Sequence, residues 1–99
     1  MIMYEFHDEL TMDELRSEME MGYVIQDAKG KAGYDVYHYH KHLFYSDSWD
    51  QVIREIVKER NRVGFWPNVF YVNERGNTDL LVIKKQGRGF RSEIIQSWV

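Results

Sequence analysis

Cysteine is absent from this chain. That excludes a disulfide framework, thiolate catalysis and thiolate-ligated metal, so a metal site is expected to use histidine, carboxylate or water. Proline occurs once, and no low-complexity tract or long linker interrupts the sequence. No apolar run approaches the roughly 18 residues a membrane-spanning helix needs. The opening Met1-Ile2-Met3-Tyr4-Glu5-Phe6-His7-Asp8-Glu9 lacks a basic region followed by an apolar stretch, as a secretory signal would require. The expectation is an intracellular protein, neither secreted nor membrane-spanning. Gly-x-Ser-x-Gly, a phosphate-binding glycine loop, a dinucleotide glycine fingerprint and His-Glu-x-x-His are all missing. Nothing therefore points to an enzyme, and no cofactor is expected.

What is present fits a single domain spanning residues 1–99, with 43% hydrophobic residues to build one core. The formal charge of −3 with neutral histidines argues against dominant nonspecific nucleic-acid binding, yet leaves room for a local basic patch.

The chain divides into recognisable elements. Ile2, Tyr4 and Phe6 alternate with Met3, Glu5 and His7 as in a short strand. Thr11 and Glu14 form a capping box, Leu10 and Leu15 stand at hydrophobic-staple positions and Gly22 closes the first helix. Tyr23 to Gln26 reads as a second strand, followed by a turn-rich loop containing Gly30 and Gly33. Ser48 opens a second helix, in which Trp49, Val52, Ile53, Ile56 and Val57 recur at helical spacing. Val69 to Val72 and Thr78 to Ile83 are strands joined by the five-residue loop 73–77. Phe90, Ile94 and Trp98 stand at i, i+4, i+8 and predict a helical turn or two in the tail. No internal repeat is visible. The class is α+β: an antiparallel sheet with two helices on one face, its first six elements matching the ferredoxin-like β-α-β-β-α-β order, plus a C-terminal strand and the tail.

Three segments carry possible function. The first is Tyr37-His38-Tyr39-His40-Lys41-His42, within an apolar and aromatic stretch from Tyr34 to Tyr45 that reads as one strand. On a strand His38, His40 and His42 share one face, and in a ferredoxin-like sheet Glu5 and His7 join them. His38 and His40 with Glu5 or His7 could then hold a divalent metal. Spacing of about 7 Å between neighbours keeps all three histidines from one ion, so a strand face without chemistry is the competing reading.

The second is the basic segment Lys84, Lys85, Arg88, Phe90 and Arg91. Its cations could contact phosphates and Phe90 could stack on a base. Arg88-Gly89-Phe90 resembles the opening of the RNA-recognition-motif signature. Arg91 and Ser92 depart from that pattern at the next positions, so no function is carried over.

The third is the excess of apolar surface on the C-terminal hairpin, where Phe70 and Val72 face one way and Val69 and Tyr71 the other. With Phe65, Trp66 and Trp98 nearby, either the tail or a partner must cover the second face. Phe65, Trp66, Phe70, Val72 and Trp98 are thus candidate interface residues, and a homodimer binding another protein is the leading expectation. The cysteine-free, tyrosine-dense run from Gly33 to Tyr45 resembles small orphan accessory proteins of archaeal viruses and bacteriophages. That resemblance implies a dimer that binds host or viral proteins in the host cytoplasm.

Overall fold

The computed structural model describes residues 9–99; the expected strand at 2–6, with Glu5 and His7, lies outside them. The order is α1 (Met12–Met21), β1 (Tyr23–Asp27), β2 (Tyr34–His38), β3 (Lys41–Ser46), α2 (Trp49–Val63), β4 (Val69–Val72), β5 (Thr78–Gln86) and β6 (Gly89–Trp98). The strands form one sheet in the order β3-β2-β1-β4-β5-β6. The class is α+β, but the sheet is mixed, because β1 and β4 pair in parallel while every other neighbouring pair is antiparallel. A ferredoxin-like sheet would place the Tyr23 strand at an edge. Here it is central, beside β4.

Two local differences cause this. The histidine segment is a hairpin, not one strand, because Tyr39 and His40 both take positive φ (53° and 63°) and reverse the chain. The tail is a strand, because Gly87 (φ 58°) opens a tight turn that folds β6 back along β5. The result is a duplication of topology: helix, strand, loop, strand, two-residue turn, strand, once over 12–46 and again over 49–98. The two meanders run outward from the central parallel pair.

The helices form where the sequence places them. Thr11 Oγ1 accepts from the Glu14 N–H at 3.2 Å, and Glu14 Oε1 accepts from the Thr11 N–H at 3.0 Å, completing the capping box. This exchange holds the Glu14 carboxyl below the usual carboxylate range, through the Thr11 backbone first. Ser48 caps α2, and Gly64 in a left-handed conformation ends it. At Gly22 the demand is space: a Cβ there would stand 2.4 Å from the Asn68 carbonyl oxygen. Only glycine lets the end of α1 pass so close to the start of β4.

Packing follows the alternation of the strands. Val52, Ile53 and Ile56 of α2 bury Tyr23, Ile25, Val36, Val69 and Leu81. Leu15 of α1 packs with Phe70 and Leu80, and Leu10, Met19 and Trp98 close around them. Val69 and Phe70 are consecutive in β4, as are Leu80 and Leu81 in β5, and consecutive strand residues face opposite ways. The two clusters therefore lie on opposite faces of the β4–β5 pair. Gln96 fixes the segment before α1 by accepting from the Leu10 N–H (2.9 Å) and donating to its carbonyl (3.0 Å).

The far end of the sheet is clamped by Asp27, whose carboxylate accepts from the Tyr71 hydroxyl and from the Glu74 N–H. Burial, reinforced by Asp27, pushes the Tyr71 hydroxyl well above its ordinary range. A phenol with a raised folded pKa contributes its full stability below the unfolded value of about 10 and loses it as pH rises further. Asp27→Ala leaves a half-buried phenol and a backbone donor without this acceptor, and is expected to cost about 1–3 kcal/mol. Urea unfolding of the variant measures this, and a change within error of zero would remove the clamp.

Candidate functional site

Register places the two hairpin turns at the same end of the sheet. Tyr23, the first residue of β1, pairs with His38, so the turn at 39–40 lies where β1 begins. Val69, the first residue of β4, pairs with Leu81, and β5 continues to Gln86 before turning at 87–88. Since β1 and β4 are parallel, both turns fall beyond their starting ends.

These two tips concentrate positive charge. Residues 36–43 and 82–93 contain Lys41, Lys84, Lys85, Arg88 and Arg91 against one carboxylate, Glu93. The tips hold a net +4, which leaves −7 for the rest of a chain of net −3. Charge segregated this way gives a weakly acidic protein a cationic end with its own field.

On the β5–β6 ribbon, Lys84 pairs across the strands with Arg91, and Lys85 with Phe90. Glu93 accepts from Lys84 Nζ at 2.7 Å and lies 3.5 Å from an Arg91 guanidinium nitrogen. The Lys84 hydrogen bond, ahead of the Arg91 charge, holds the Glu93 carboxyl below the usual carboxylate range. These exposed pairs cost little to exchange for another anion. Arg88 is exposed in the turn itself. Phe90 does not project as a stacking ring: it packs against the α2 core. The Trp49 indole N–H donates to Ser92 Oγ at 2.9 Å. Phe90 and Ser92 thus anchor the ribbon on the body of the protein and leave its cations outside.

The β2–β3 hairpin does not present three histidines on one face. His38 ends β2, with Nε2 3.1 Å from the Met21 carbonyl oxygen, to which it donates in the Nε2–H tautomer. His40 is exposed in the turn. His42 is the second residue of β3 and meets Asp35 Oδ1 at 2.9 Å, with its ring edge-on to Tyr37. The proposed metal pair is thus divided between a strand end and a turn, and Glu5 and His7 lie outside the described residues. Among the described residues no group of three histidines and carboxylates could hold a metal ion.

The candidate interface residues also separate. Phe70 is fully buried and Trp98 half-buried, both in the chain's own cluster around Leu15 and Leu80. Val72 is half-buried. The Arg60 guanidinium sits 5.1 Å above the Trp66 ring and donates to the Pro67 carbonyl. Phe65 alone remains open, at 50% exposure. The apolar hairpin that implied a partner is covered from within.

Sequence reasoning missed one feature altogether, the run of three neighbouring rings at the β2–β3 tip. Tyr23 and His38 lie parallel, with centroids 4.4 Å apart and planes at 20°. His38 and Tyr39 follow at 4.6 Å, with their planes tilted by 46°. The only signal was aromatic density, which a single strand also explains.

No family model matches this chain, and neither does any curated protein or solved structure. Among the described residues no helix is long and apolar enough to cross a membrane.

Proposed function

We propose that this protein is a non-enzymatic nucleic-acid-binding module that grips the phosphate backbone with its two hairpin tips. One observation carries the reading: the net +4 gathered on residues 36–43 and 82–93 in a chain that is otherwise acidic. Phosphate contacts from Lys and Arg supply most nonspecific affinity and place the ligand. A two-stranded ribbon anchored at its base presents such contacts in a fixed array. The reading also needs no uncovered core, which the packing of Phe70 and Trp98 supplies from within. Fluorescence anisotropy with labelled oligonucleotides at 20 mM salt tests it. Saturable binding that weakens steeply with added salt is expected, and no binding at that salt would overturn it.

A second reading, a homodimeric interaction protein, is favoured by β6. It is an edge strand with Ile94 60% and Ile95 45% exposed, the type of edge to which another strand adds. Light scattering at micromolar concentration distinguishes the two: a strict monomer that binds oligonucleotides supports the first reading alone.

A further inference from the structure

Building on the nucleic-acid reading, we infer that the ligand is single-stranded and that Tyr39 is the platform on which an unpaired base stacks. Tyr23 is fully buried in the main core, His38 stacks on it, and Tyr39 follows His38. The last ring is 57% exposed. A ring braced at a tilt of 46° by a histidine that is itself stacked on the core loses less freedom than a free side chain when a base covers it. Tyrosine is effective in recognition for this reason, offering large contact area at low conformational cost.

The backbone supports the same conclusion. Two-residue hairpin turns with both central residues at positive φ strongly favour Asn-Gly or Asp-Gly. Here the positions are Tyr39 (φ 53°) and His40 (φ 63°); histidine tolerates the left-handed region better than most residues, but the bulky Tyr39 does not. Strained positions of this kind persist where the surrounding structure over-determines them, and they cluster at sites of function. The strain places two aromatic rings at the tip where a hairpin needs none for its own folding.

Beside Tyr39 runs a depression of about 420 Å³, lined in part by Met19, Val24, Gln26, Tyr37 and His40. This is large enough for a small ligand group, and its rings and thioether offer stacking surfaces without base-specific forks. The cationic ribbon lies at the same end of the sheet, so phosphates and an unstacked base can be held together. That pairing of charge and ring is the chemistry by which proteins bind single strands without strong sequence preference. A paired duplex keeps its bases stacked internally and offers Tyr39 none.

The test compares a labelled oligo(dT) 20-mer, an oligo(rU) 20-mer and a 20-base-pair duplex by anisotropy at fixed low salt. The proteins are the wild type, Tyr39→Ala, Tyr39→Phe, the turn variant Tyr39→Asn with His40→Gly, and Lys85→Gln with Arg88→Gln. Single strands of either sugar are expected to bind more tightly than the duplex. Removing one stacking ring weakens single-strand binding about tenfold, within a range of roughly 5–150-fold, with duplex binding unmoved and Tyr39→Phe close to wild type. The turn variant is expected to melt at a higher temperature than wild type, because it relieves the strain, and yet to bind single strands as poorly as Tyr39→Ala. It keeps the test intact even if Tyr39→Ala folds poorly. Duplex bound more tightly than single strand, or single-strand affinity unchanged in the turn variant, would overturn the inference. If Lys85→Gln with Arg88→Gln still lowers affinity, the phosphate-gripping reading survives that outcome. Absence of binding to all three ligands removes both.

Discussion

Phe70→Ala is expected to lower the stability of the protein by about 3–5 kcal/mol, the range for truncating a buried phenylalanine. Phe70 is fully buried in β4, enclosed by Leu15, Leu80, Leu10, Met19 and Trp98. These neighbours come from α1, the segment before it, β5 and the end of β6, so none can collapse into the cavity without dragging its own element. Domains of this size have only about 5–15 kcal/mol to lose, and a large part of the variant population is expected to unfold on mild heating. Urea unfolding followed by tryptophan fluorescence reads the change directly, since Trp98 belongs to the same cluster. Phe70→Leu, which keeps most of the volume, is expected to cost clearly less. A loss below about 1 kcal/mol for the alanine variant would mean that Phe70 is accessible, returning it to the set of partner-facing residues.

The second large effect concerns binding. Replacing Lys84, Lys85, Arg88 and Arg91 together by glutamine is expected to abolish oligonucleotide binding at 20 mM salt. Net of Glu93, the five tip cations amount to four charges. Four phosphate contacts on a single strand predict a slope of log K against log salt near −0.7 × 4, or about −2.8, and near −3.6 on a duplex. From 1 M to 20 mM salt, the single-strand slope corresponds to roughly 10⁴–10⁵-fold in affinity. The quadruple variant leaves Lys41 opposed by Glu93, with no net charge on the tips, so both affinity and slope should collapse. The four side chains are exposed, and the melting temperature is expected to stay near that of the wild type. Affinity and slope within error of the wild type would show that the cations only solvate the ribbon.

Much of the fold was legible where local chemistry and tertiary packing agree. Trp49, Val52, Ile53, Ile56 and Val57 announced α2, and Ser48 its start. The capping box of α1 and the strands at 69–72 and 78–83 were equally direct. Tyr39-His40 was illegible because aromatic residues favour strands and neither residue is a turn former, so the sequence shows no reversal where the chain makes one. The tail failed for another reason. Positions 90, 94 and 98 share a helix face, but their even spacing also suits a strand. In the structure Phe90 joins the α2 core, while Trp98 joins the cluster under α1. A register shift opposite Leu80 and Leu81 separates them. Gly87, a recognisable first residue for a tight hairpin turn, was the overlooked signal. The parallel pairing of β1 with β4 has no local signature at all, since it depends on how α2 crosses the sheet. As for the site, the cations of the basic segment were visible in sequence, but their partnership with the tyrosine–histidine tip was not. That partnership is a consequence of the parallel centre, which brings both turns to one end.

The most direct test of this account is nuclear magnetic resonance of uniformly ¹⁵N-labelled protein titrated with oligo(dT) at low salt. Shifts are expected to concentrate on residues 38–42 and 84–91, with the loops at 28–33 and 73–77 at the opposite end unmoved. Shifts centred on Ile94, Ile95 or Phe65, or a spectrum indifferent to the oligonucleotide, would contradict it.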